Sequence, residues 1–112
     1  MEERRKEKRY LYQTLVKYEG DKDYRQFDAV SLNLSSEGIS ILSTVNVEVG
    51  EKFVLKFKLL GREAPIATEC EVIYNKPVED KYLIGCKIVK IYGVTREELA
   101  NTLEKTFDHI DI

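Results

Sequence analysis

Two short stretches hold the side chains best suited to chemistry. RRKEKR, Arg4 to Arg9, sets Arg5 and Arg9 four positions apart. Each guanidinium is flat, permanently charged and forked. It can grip a phosphate, bind the O6/N7 edge of a guanine through two hydrogen bonds, or stack on a purine face. NLSSEG, Asn33 to Gly38, offers a different set. Asn33 carries two donors and an acceptor, and Ser35 a rotatable hydroxyl. Gly38 lacks a Cβ and can adopt positive φ, which permits a tight turn or a close backbone approach by a ligand. Each stretch also has a plain reading: RRKEKR as a solvated basic tail, NLSSEG as a hairpin turn with polar decoration.

Charge sharpens the choice. Residues 1–9 carry five bases and three acids, a surplus of two positive charges, and the chain as a whole carries −2, which leaves −4 on the rest. A local basic segment on an acidic body suits a specific small anion better than a long polyanion. Other chemistries lack their signatures. The sequence contains no GxSxG, HExxH or GxxxxGK[ST] motif and no local Cys–His signature, so a binding module is the better class than an enzyme. Cys70, Cys86 and His109 are too few to close a four-ligand zinc site. Both cysteines fall at apolar positions of predicted strands and read as buried thiols, not as a disulfide, in keeping with a cytoplasmic setting. His109 lies near a polar C-terminus and reads as solvent-exposed. No apolar run of 18 residues offers a membrane span, and MEERRKEKRY has no apolar stretch behind its charges to serve as a secretory signal.

The elements that must position these residues are mostly strands. At 112 residues the chain fits one domain with a single core. Tyr10 to Tyr18 is rich in aromatic and β-branched residues and reads as a first strand. Phe27 to Leu34 alternates, with Val30, Leu32 and Leu34 expected inward and Ala29, Ser31, Asn33 and Ser35 outward. Ile39 and Ile41 resume the apolar face after the turn. Phe53, Leu55, Phe57 and Leu59 alternate against Lys52, Lys56 and Lys58, a half-buried strand. Ile66, Cys70, Val72 and Tyr74 form a further inward set, and Tyr82 to Tyr92 is a long strand whose phase slips between Ile88 and Ile91, as at a bulge. Thr95 and Glu98 then form a capping box, and Leu99, Leu103 and Phe107 follow at spacing four with Ala100 beside them, so a helix is expected over about 95–109. About six short strands with no helix between them favour an antiparallel barrel or sandwich over a parallel sheet.

RxxxR in the N-terminal tail, followed about 24 residues later by NxSxxG at a strand end, resembles the PilZ domain family. The rest of the chain agrees in order and pattern, including the late LIGCKIVKI strand and the C-terminal helix. The resemblance implies a mainly β fold, a six-stranded antiparallel β-barrel with a C-terminal α-helix. It also implies a flexible basic arm at residues 1–9 and the barrel at 10–112. It implies a stand-alone bacterial receptor for the second messenger cyclic di-GMP, with Arg5 and Arg9 on phosphates and guanine edges. Asn33 and Ser35 would bond a guanine edge or phosphate, and Gly38 would keep the turn clear. Arg4 would hold a second guanine, so that two stacked ligands bind per site. The signal would pass through ordering of the arm to an effector protein, with no DNA involved and flagellar motor, exopolysaccharide synthesis and transcriptional control all open as outputs. Two other readings stand beside it. A small β-barrel with exposed Tyr10, Tyr12 or Tyr18 and a basic tail could stack single-stranded nucleic acid, or the domain could be a protein-interaction scaffold without a nucleotide.

Overall fold

Alternation is clearest where one face of a strand must enter the core. Phe53, Leu55 and Phe57 are buried while Lys52 and Lys56 on the opposite face are exposed, and this stretch forms β5 (Lys52–Phe57). The structure, a computed structural model, describes residues 9–20, 26–59, 61–106 and 109–110. Its other elements are β1 (Arg9–Leu11), β2 (Leu15–Gly20), β3 (Gln26–Leu34), β4 (Gly38–Ser43), β6 (Ile66–Val78), β7 (Lys81–Tyr92), α1 (Arg96–Thr106) and β8 (His109–Ile110).

All the strand pairings are antiparallel. The order β2-β5-β6-β7-β4-β3 closes on itself because β2 also pairs with β3, giving a six-stranded barrel. β1 is added beside the end of β3, and β8 pairs with β1, matching Arg9 with Ile110 and Tyr10 with His109. The side chain of His109 and the whole of Phe107 lie outside the described residues. Inside the barrel, the Tyr18 ring is stacked between Phe27 and Phe53 with centroids 4.3 Å from each. Leu99 and Leu103 of α1 are fully buried in the same core. The helix starts as its sequence dictates: Glu98 N–H donates to Thr95 Oγ1 at 3.0 Å, and Thr95 N–H donates to Glu98 Oε1 at 2.8 Å.

Three departures from the alternation read in the sequence have local causes. Tyr10 to Tyr18 is not one strand. The chain breaks at residues 12–14, where the buried Ser31 hydroxyl donates to the Tyr12 carbonyl and accepts from Thr14 N–H at 3.0 Å, replacing ladder bonds. Next, β3 faces the other way in its first half. Ala29 and Ser31 are buried and Val30 is exposed, because a bulge between Ser31 and Asn33 leaves Leu32 unpaired and shifts the phase before Leu34 turns inward. A second bulge, between Val72 and Tyr74, puts Tyr74 outside and not in the core. The slip expected in β7 is present: Cys70 pairs with Ile88 and Glu69 with Lys90, which leaves Val89 as the extra residue.

Cys70 and Cys86 are free and buried. Burial pushes the Cys70 thiol up to about 12 and the Cys86 thiol well above its usual range. Two outcomes are expected. At pH 8 a thiol-specific reagent labels neither cysteine until the protein is unfolded. An unfolded thiol ionises near its ordinary value while the folded Cys70 stays protonated, so the folded state binds more protons. Unfolding stability measured in urea therefore falls as pH rises from about 9 towards 12, and the contribution is intact below about 9.

Candidate nucleotide-binding site

The bulge in β3 sets the site. Past it, Asn33 pairs with Ser40, Ser40 with Gly85 and Gly85 with Tyr74, so these four lie in one row across the outer face of β3, β4, β7 and β6. Leu11 continues the row on β1, opposite Asn33. Arg9 stands two residues before Leu11 and reaches the same row. Its Nη1 donates to Asn33 Oδ1 at 2.8 Å. The Ser40 hydroxyl donates to the same oxygen at 3.0 Å. Both bonds converge on the carbonyl oxygen of Asn33, which leaves its amide nitrogen, with two donors, to meet an acceptor outside the barrel. The result is a polar shelf with the Arg9 cation fixed at its edge.

The turn beside the shelf is held from within. Ser35, expected to point outward, is fully buried. The chain leaves β3 and doubles back, so the Ser35 side chain lies beneath the turn. Its Oγ accepts from Glu37 N–H at 3.1 Å and Gly38 N–H at 3.0 Å, and Ser35 N–H donates to the Gly38 carbonyl at 2.9 Å. Ser35 therefore shapes the turn from a buried position. The need for glycine at position 38 is also different from the expected one. Left-handed glycines among the described residues are Gly50, Gly61 and Gly93. Gly38 instead opens β4, and a Cβ there would meet the Cys86 carbonyl oxygen at 2.8 Å, with Arg9 Nη2 at 3.6 Å. Glycine is required because the β7 backbone crowds this spot, while Arg9 lies at ordinary contact distance. The Tyr74 ring lies over Gly85, where a Cβ would come within 2.1 Å of it, so an aromatic surface covers the far end of the row.

Of the residues singled out in the sequence, the structure brings Arg9, Asn33 and Gly38 together, with Ser35 behind them. Arg4 and Arg5 lie outside the described residues. Ser40 went unremarked, although its place two residues after Gly38 in an alternating strand gives it the outer face. Tyr74, expected in the core, is brought outside by its bulge. Arg96, which reaches the turn from α1, had no local signal at all. Tyr10, Tyr12 and Tyr18 are buried, so they form no outer stacking platform. Among the described residues no group of acids, cysteines and histidines is arranged to hold a metal ion, and no helix is long and apolar enough to cross a membrane.

Comparison with known proteins agrees with the geometry. A family model described as PilZ domain matches residues 3–105. No significant match was found among curated protein sequences. Among solved structures, the inhibitor of motility MotI/DgrA of Bacillus subtilis superposes with a TM-score of 0.73 at 21% identity, over 92% of this chain and 51% of that one. The PilZ domain of YcgR from Escherichia coli with c-di-GMP gives 0.70 at 14% identity, over 92% of this chain and 93% of that one. The MrkH–c-di-GMP complex of K. pneumonia gives 0.63 at 16% identity, over 92% and 50%. The chain thus spans about half the length of MotI and MrkH and nearly all of the YcgR domain. At these identities the likeness is one of fold.

Two substitutions test the turn. Ser35→Ala leaves two N–H groups without their acceptor and should cost about 1–3 kcal/mol of stability in urea unfolding. Gly38→Ala forces backbone against backbone and should cost a similar amount, on the order of 1–3 kcal/mol. Gly85→Ala displaces only the exposed Tyr74 ring, so its melting temperature should fall the least of the three.

Proposed function

The chain belongs to the PilZ domain family, a family of ligand-binding receptors, and from that premise we propose that it binds cyclic di-GMP on the outer shelf of its barrel and relays the signal to a partner protein. The observation that carries this reading is the Arg9–Asn33 hydrogen bond. It brings together one residue from each motif, 24 apart in sequence, with a forked cation and an amide side by side.

The ligand carries two phosphates and two flat bases. Arg9 supplies charge and a fork, Asn33 an amide, and the turn held by Ser35 and Gly38 keeps the floor low enough for close approach. Arg5 and Arg4 complete the set from the arm of residues 1–9: Arg5 on a phosphate or guanine edge, Arg4 on the second guanine of a stacked pair. In the structure Arg9 rests on Asn33. Ligand binding replaces that contact with charge-assisted ones and orders the arm over the shelf, at an entropic cost that keeps affinity moderate. The ordered arm is the surface a partner reads. Structures similar to this chain include an inhibitor of motility and a transcription regulatory factor, so fold alone does not select the output.

The alternative in which outer tyrosines stack single-stranded nucleic acid is disfavoured by the burial of Tyr10, Tyr12 and Tyr18. A scaffold without nucleotide is disfavoured by the joined arginine and asparagine.

Isothermal titration tests the proposal. Cyclic di-GMP should bind with saturation at two ligands per chain, and GTP should not compete. Arg9→Ala and Arg5→Ala should each weaken binding about 5- to 150-fold, the equivalent of about 1–3 kcal/mol, with little change in melting temperature. Arg9→Lys should also weaken it, because an ammonium cannot reproduce the fork. Saturation at one ligand would remove the stacked pair. Unchanged affinity in the Arg5→Ala/Arg9→Ala double variant would remove the site, and no binding by the unaltered chain would favour the scaffold.

A further inference from the structure

Arg96 is the first residue of α1, sixty positions from Ser36 in sequence, yet its guanidinium is built into the motif turn. Nη1 donates to the Ser36 carbonyl at 2.7 Å and lies 3.3 Å from Glu37 Oε1. Nη2 donates to the Val89 carbonyl at 3.2 Å and the Ile88 carbonyl at 3.4 Å. Between the two segments, Ile88 N–H donates to the Glu37 carbonyl at 2.8 Å. The contact falls at the β7 bulge, where the unpaired Val89 interrupts the β6–β7 ladder. One planar cation thus joins the turn, the bulge and the start of the helix. The ion pair with Glu37 is largely solvent-exposed and contributes little by itself. The carbonyl contacts are geometric: they fix where Ser36 and Glu37 sit relative to β7.

We propose that Arg96 is a positioning residue for the nucleotide shelf. It touches none of the atoms offered to the ligand. It locks the Ser36–Glu37 limb of the turn onto the bulge, so that turn geometry and docking of α1 form one unit. This rests on the reading of the shelf as a cyclic di-GMP site. Coupling is reciprocal: if α1 docking steadies the turn, a ligand seated on the turn steadies α1. The helix then reports occupancy of the shelf, which gives a partner a second element to read.

Three variants of the full chain separate this role from general support of the fold. Arg96→Ala removes the clamp. Arg96→Lys keeps the charge and can reach one carbonyl but not both segments. Thr95→Ala removes the N-cap hydroxyl next to Arg96 but leaves the guanidinium, its carbonyl partners and the buried Leu99 and Leu103 that dock α1 in place. In titration with cyclic di-GMP, Arg96→Ala should bind roughly tenfold more weakly, within the usual range of coupling between sites. Arg96→Lys should fall between it and the unaltered chain, and Thr95→Ala should stay within about twofold. In amide exchange, cyclic di-GMP should slow the α1 amides, Leu99 N–H among them, in the unaltered chain and not in Arg96→Ala. Unaltered affinity in Arg96→Ala overturns the proposal. So does an equal loss in Thr95→Ala, which would make helix integrity the cause. If the unaltered chain binds no cyclic di-GMP, the receptor reading has failed, and the clamp is judged without ligand. Faster exchange at Ile88 and Gly38 N–H in Arg96→Ala, but not in Thr95→Ala, upholds it; no change in either overturns it.

Discussion

A single unpaired residue in β3 decides which face of the barrel carries the polar shelf. With Ala29 and Ser31 inward, an unbroken strand would turn Asn33 inward too, into an apolar core where an amide needs partners. The bulge at Leu32 inserts one step, so Leu34 enters the core and Asn33 stands outside opposite Ser40. Everything at the site follows from that step. Arg9 finds a carbonyl oxygen to rest on, Ser40 finds the same oxygen, and the chain beyond Leu34 is aimed so that Ser35 can close the turn from below.

The same irregularity explains what could be read from the residues alone. The barrel strands were legible wherever one face is purely apolar: Phe53, Leu55 and Phe57 need no tertiary information. The capping box at Thr95 and Glu98 was legible because both of its bonds are local. In β3 the residue types were ambiguous, since Ala29 and Ser31 are small enough to be buried and Val30 can be exposed at modest cost. Alternation then chose the wrong phase for Val30 and the right one for Asn33, because two errors of one residue cancel across a bulge. Ser35 was misplaced for a related reason. Period-two reasoning ends with the strand, and Ser35 lies just beyond it. Tyr74 failed in the same way, at the bulge after Val72.

Long-range contacts left no trace in local pattern. The sequence suggests backbone freedom as the role of Gly38, but its real constraint is the Cys86 carbonyl on a strand that arrives nearly fifty residues later. Arg96 is more extreme. Its position at the head of a helix suggests nothing about Ser36, and its meaning appears only when β7 brings the Val89 bulge beneath the turn. Motif residues are readable because they are close in sequence; the residues that hold a motif in shape come from wherever the fold can supply them.

The pairing of Arg9 with Ile110 has a practical meaning of its own. The strand that delivers the site's cation is flanked by a strand from the far end of the sequence. The two ends of the described chain therefore run side by side, next to the shelf. Such an arrangement suits tethering: a link or a pair of reporter groups set on β1 and β8 would join the strand that bears Arg9 to its neighbour from late in the sequence. A pair of fluorophores placed there would sit beside the shelf and respond to any rearrangement of β1.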